Sequence, residues 1–109
     1  MAFNETLSNR IREALADLPH VTEKRMFGGV CYMVNNKMCM GVVGDDLMCR
    51  IGEDAYEAAL ERPGCREMTF TGKPMRGYVF VSEDGFRTGF REWVDLCLAF
   101  NPKAKASRK

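Results

Sequence analysis

The stretch "RMFGGVCYMVNNKMCMGVVGDDLMCRI", residues 25–51, carries five of the eight methionines and three of the five cysteines in a chain of 109 residues. Whether that sulfur is a reagent or the filling of a sheet depends on where each side chain points. Two tight turns set that direction. Asn35-Asn36 and Gly44-Asp45 are residues that tolerate the positive φ of a two-residue hairpin. The first turn sets Val34 opposite Lys37, Met33 opposite Met38 and Cys31 opposite Met40. The second sets Val42 opposite Leu47 and Met40 opposite Cys49. Alternation along each strand then gathers Cys31, Met33, Met38, Met40, Val42, Leu47, Cys49 and Ile51 on one face. The other face takes Val30, Tyr32, Val34, Lys37, Cys39, Val43, Asp46, Met48 and Arg50. The first face is apolar throughout and belongs beneath helices, where Met fills irregular gaps and free Cys acts as a small hydrophobe. On this register Cys39, beside Tyr32, Met48 and Arg50, is better placed to react than the covered thiols.

Outward from this segment the pattern changes to helical. Phe3, Leu7, Ile11, Leu15 and Leu18 predict a helix over about 4–17, stopped by Pro19. "GEDAYEAALERPG" predicts a short helix over 53–61, with Tyr56, Ala59 and Leu60 inward and Pro63-Gly64 closing it. Phe86, Phe90, Trp93, Cys97 and Phe100 predict one long last helix, capped by Ser82 or Asp84 and ended by Pro102. "VTEKRMF" leads into the first strands, and "CREMTFT" and "GYVFVS" flank "GKPMR" as a further hairpin. The order is α, three or four strands, α, two strands, α. Every clear strand pair is a hairpin, so the fold class is α+β: a two-layer sandwich of a mainly antiparallel sheet with helices packed on it. One domain is expected over 1–101, followed by a basic, disordered tail over 102–109.

Charge and cysteine spacing exclude several functions. Of 16 basic residues, Lys103, Lys105, Arg108 and Lys109 lie in the tail, leaving 12 against 15 acids, a body near −3. That is not the profile of a basic nucleic-acid-binding domain. No apolar run reaches about 18 residues, so no membrane span is expected, and the first residues lack the pattern of a secretory signal. The five cysteines form no C-x-x-C and there is one histidine, which points to free thiols in the cytoplasm. His20 has no acid or thiol near it in sequence. Asp45-Asp46 suits a turn, Glu83-Asp84 suits a helix start, and no serine lies in a nucleophile elbow. The expectation is a non-enzyme with no cofactor and no metal. Cys31, Met40 and Cys49, side by side across three strands, leave a soft-metal or thiol-redox protein as one alternative, opposed by the desolvation of a covered thiolate.

Two surfaces remain as contact candidates. One is the strand entry at Lys24, Arg25, Phe27, Gly28 and Gly29. The other is the hairpin tip with Lys73, Met75 and Arg76. These hairpin cations with the basic tail also offer a weak, salt-sensitive nucleic-acid contact, a second alternative.

Arg25-Met26-Phe27-Gly28-Gly29, the Gly44-Asp45 turn followed by Leu47, and the run Gly72-Lys73-Pro74-Met75-Arg76-Gly77-Tyr78 resemble the TfoX (Sxy) N-terminal domain family. The resemblance covers about residues 7–100. It implies an α/β sandwich with an antiparallel sheet and a non-enzymatic bacterial protein of competence regulation. It also implies a transcriptional coactivator working with the cyclic-AMP receptor protein. The full regulator carries a second, C-terminal domain, whereas this chain stops at Lys109, so the expectation is a stand-alone single-domain member. Its expected partner is a protein: the transcription machinery, a cyclic-AMP-receptor-type regulator, or a second copy in a homodimer through an open sheet edge.

Overall fold

A computed structural model of the chain describes residues 4–26, 29–70, 73–87 and 89–104. The elements are α1 (Glu5–Ala14), β1 (Val21–Met26), β2 (Gly29–Val34), β3 (Lys37–Val43), β4 (Asp46–Arg50), α2 (Glu53–Leu60), β5 (Cys65–Phe70), β6 (Lys73–Val81), α3 (Glu83–Phe86) and α4 (Phe90–Phe100), with a closing 3-10 turn at Asn101–Lys103. The six strands form one sheet in the order β1-β2-β3-β4-β6-β5, with every pair antiparallel. This is the α+β sandwich that the hairpin pattern predicts.

Local chemistry explains the boundaries. Asn4 caps α1, its side-chain oxygen accepting from the Leu7 amide at 3.0 Å, while its own amide donates to Gly44 at 2.7 Å. The cap therefore ties α1 to the β3–β4 turn. Asn35 and Asn36 both hold positive φ, 56° and 66°, so the β2–β3 connection is a primed two-residue turn. Gly44 does the same at the next turn with φ of 61°.

The predicted last helix is interrupted. α3 ends at Phe86 and α4 begins at Phe90 behind Gly89. Glycine is a poor helix former, and Gly85 lies so close to the β5 approach that a Cβ there would sit 2.5 Å from the Pro63 carbonyl oxygen. The break lets the Trp93 indole lie fully buried and donate to the Gly85 carbonyl at 3.2 Å. Ser82 precedes α3, but its hydroxyl bonds the Gly64 carbonyl at 3.3 Å and does not cap the helix.

The main departure lies in β3. Met33 pairs with Met38 as predicted, but Tyr32 then pairs with Met40, leaving Cys39 as an extra residue in a β-bulge. A one-residue shift exchanges the faces of everything beyond it. Cys39 and Met40 both enter the core beneath the helices, together with Val30, Tyr32, Val34, Val42, Leu47, Cys49 and Ile51. All four helices contribute to that core, through Leu7, Ile11 and Leu15, Tyr56 and Ala59, Phe86, and Trp93, Val94 and Cys97. Cys31, Met33 and Met48 instead join Met68 in a second cluster, with Met38, Tyr78 and Phe80 against it. Cys31, Met33 and Met38 are therefore not beneath the helices, and Val30, Tyr32 and Val34 are. Lys37 also leaves the company of Asp46 and Arg50: its ammonium donates to the Asn101 carbonyl at 3.3 Å, at the end of α4. Tyr32, placed under α1, donates its hydroxyl to the Ser8 carbonyl at 3.1 Å and accepts from the Ser8 hydroxyl.

Candidate functional site

β1 and β5 are the two edges of the sheet. The β1–β2 connection lies at the end of the sheet shared by the β3–β4 turn, and the β5–β6 connection at the end shared by Asn35-Asn36. The two predicted contact surfaces therefore sit at opposite corners and do not form one site. Within the first, Lys24 pairs with Cys31 and shares its face, whereas Arg25 pairs with Val30 on the helix side. Both cations are exposed. Arg25 lies near Glu23, which the Arg12 guanidinium grips at 2.7 and 3.0 Å, and that grip holds the Glu23 carboxyl below its ordinary range. Gly29 is buried, and a Cβ on it would lie 1.9 Å from the Val42 carbonyl oxygen. Its glycine is demanded by the β2–β3 approach. Phe27 and Gly28 lie outside the described residues.

At the second corner Arg76 is exposed and lies over the Tyr56 ring at 5.2 Å, with Glu57 at 3.8 Å. Gly77 turns the chain with φ of 91°, and its carbonyl accepts the amides of Ile51 and Gly52 at 2.8 and 3.1 Å. Arg76 is thereby fixed to the start of α2. The side chains of Lys73 and Met75 lie outside the described residues, as does the end of the basic tail with Lys105, Arg108 and Lys109.

The thiols are distributed by the bulge. Cys31 and Cys49, expected side by side with Met40, lie in different clusters on opposite faces. Cys39, expected on a mixed face, is 1% exposed and hydrogen-bonded to Cys97, which also bonds Cys49. Its bond to Cys97 and its burial push the Cys39 thiol up; burial first, and its bond to Cys49, push Cys97 up. Burial pushes Cys31 up to about 12. Cys65 is only half-buried; desolvation takes it up to about 11 against the lowering pull of Arg62 and Arg66. Thiolate access thus ranks Cys65 first. Alkylation of the native protein, read by peptide mass spectrometry, should modify Cys65 about a hundredfold faster than any other cysteine. Equal labelling of Cys39 would overturn this ranking. Among the described residues, no group of three His, Cys, Asp or Glu is arranged to hold a metal ion.

A feature absent from the sequence reading is a groove between α2 and α4, about 410 Å3 in volume, with Ala55, Leu96, Ala99 and Phe100 in its lining. Gly52, with φ of 86°, lets the start of α2 meet the Phe100 ring, which a Cβ would approach to 2.4 Å. The groove joins elements more than forty residues apart, and the acidic, alanine-rich α2 is its single local signal.

Taken together, these observations define a small α+β domain with a one-sided helical layer and charged sheet corners. The chain matches the TfoX N-terminal domain family over residues 13–101, and it belongs to that family. Membership supports a regulatory or competence-related role in general terms. Neither the curated proteins nor the solved structures give a match. Among the described residues no helix is long and apolar enough to cross a membrane.

Proposed function

We propose that this TfoX N-terminal domain acts without catalysis, by protein–protein contact, in competence-type transcriptional regulation in the bacterial cytoplasm. The observation that carries the reading is the family match over residues 13–101, which spans the whole sheet and α2 to α4. The partner is a component of the transcription machinery or a cyclic-AMP-receptor-type regulator. The contact surfaces are the corner at Lys24, Arg25, Phe27, Gly28 and Gly29 and the corner at Lys73, Met75 and Arg76. Exposed cations on strands of a fixed sheet suit this use, because an anchored strand loses less freedom on binding than a loose loop. The test is a pull-down from bacterial extract with the parent chain and with Arg25→Glu and Arg76→Glu. Each variant is expected to lose about tenfold in capture of the specific partner, the scale of a modest arginine hot spot. Retention of every partner by both variants would remove these surfaces from the reading.

A further inference from the structure

The groove between α2 and α4 has the shape and charge of a docking site for a helix. Its first part runs from the start of α2 past Ala99 and Phe100 to Lys103. A second hollow of about 410 Å3 continues it toward Arg62, Glu92 and Asp95, and the two share Leu96 and Ala99. From Glu92 to Lys103 the run is about 17 Å by helical rise, the length of three helical turns. The floor is apolar and low, with Leu96 and Phe100 half-buried and Ala99 exposed. Four carboxylates, Glu53, Asp54, Glu92 and Asp95, line the two hollows against two cations, Lys103 at one end and Arg62 at the other. α2 contributes Glu53 and Asp54 to the lining and has no basic residue. Glu92 and Asp95 are already engaged by Arg62 and Arg91, whereas Glu53 and Asp54 form no ion pair among the described residues.

We propose that this groove binds a cationic amphipathic helix of a partner protein, one that sets apolar side chains at i, i+3 or i+4 and i+7 between lysines or arginines. The inference rests on the protein-contact reading and names a surface for it distinct from the two cationic corners. An acidic wall repels nucleic acid, and the apolar floor offers a phosphate backbone nothing. A second copy does not supply the occupant either: α1, the described helix with cations beside its apolar stripe, keeps Leu7, Ile11 and Leu15 buried in its own core.

The test is an amide NMR titration of the full chain with an amphipathic leucine–lysine peptide of about three turns and its leucine–glutamate counterpart. It is run at about 0.15 M salt, where loose surface attraction is screened. The expected result is saturable shifts centred on residues 52–55 and 95–100. Binding of the lysine peptide should be at least about tenfold tighter than that of the glutamate peptide. Ala99→Arg, an exposed position that the new side chain would fill, should abolish the shifts. The double variant Glu53→Gln with Asp54→Asn should narrow the difference between the peptides at least threefold. No saturable shift, equal binding of the two peptides, or shifts confined to the sheet corners would overturn the groove. If Arg25→Glu still loses its partner in the pull-down, the contact reading then stands without it. A parent chain that captures no specific partner would overturn both.

Discussion

Gly41→Val should lower stability by about 4 kcal/mol, a large part of the 5–15 kcal/mol typical of a domain. Gly41 sits in the middle of β3, one residue beyond Met40 and two beyond the bulged Cys39. A bulge bends and twists its strand, and here β3 presses against β2 beyond it. A Cβ at position 41 would lie 2.5 Å from the Val30 carbonyl oxygen and 3.1 Å from the Cys31 Cα, both backbone atoms. On the other side the Met48 methyl is 3.1 Å away. The methionine end can yield, but the β2 backbone can retreat only by losing ladder hydrogen bonds in the centre of the sheet. Valine adds two further methyl groups to the same space. Gly44→Ala is the control. Gly44 holds φ of 61° but has nothing within 4 Å of its added Cβ, so only backbone strain of about 1 kcal/mol is expected. Urea unfolding measures both. A Gly41→Val midpoint within the error of Gly44→Ala would show that the sheet accommodates the side chain freely.

The same bulge marks where the sequence ceased to be legible. Both hairpin turns are local features, and Asn35-Asn36 and Gly44-Asp45 fall where their φ preferences demand. The pairs Val34 with Lys37, Met33 with Met38, Val42 with Leu47 and Met40 with Cys49 follow directly. The extra residue at Cys39 leaves no such trace. It is flanked by Met38 and Met40, and every residue of β2 is buried, so no polar side chain marks which face turns to water. Where both faces of a strand are apolar, alternation has no sign to read. β1 shows the contrary case: strict alternation already implies that Lys24 and Arg25 face opposite ways, so their separation was available from the sequence. Helix existence was equally plain, but the α3–α4 break was hidden by an apolar stripe running across Gly89. The helical groove was beyond reach, because it forms only when residues 51–55 meet residues 96–100 in the fold.

Raising the pH from about 9 to about 11 should unfold the protein cooperatively, with a loss approaching 4 kcal/mol per pH unit where three thiols titrate together. The groups are Cys31, Cys39 and Cys97, which are 1%, 1% and 0% exposed. Each is held above its ordinary value, Cys31 and Cys97 chiefly by burial and Cys39 chiefly by its bond to Cys97. In the unfolded chain the same thiols ionise near pH 8.5. The stabilisation is therefore fully present below about pH 8.5 and is lost as pH rises toward the folded values, because the unfolded state sheds protons first. Each such thiol contributes a slope of up to about 1.4 kcal/mol per pH unit. Burial also raises the half-buried Cys65, up to about 11, and Tyr32, Tyr56 and Tyr78, and these steepen the same decline. Equilibrium urea unfolding in a series of buffers under reducing conditions gives the slope directly. Cys31→Ala should flatten it by about a quarter to a third, although the lost side chain lowers stability at neutral pH by about 1–2 kcal/mol. That opposition separates proton linkage from simple damage to the core, since damage alone would shift the whole curve without changing its slope. Constant stability across this range would mean that water reaches these thiols in the folded state and that the sulfur is not sealed inside the two apolar clusters.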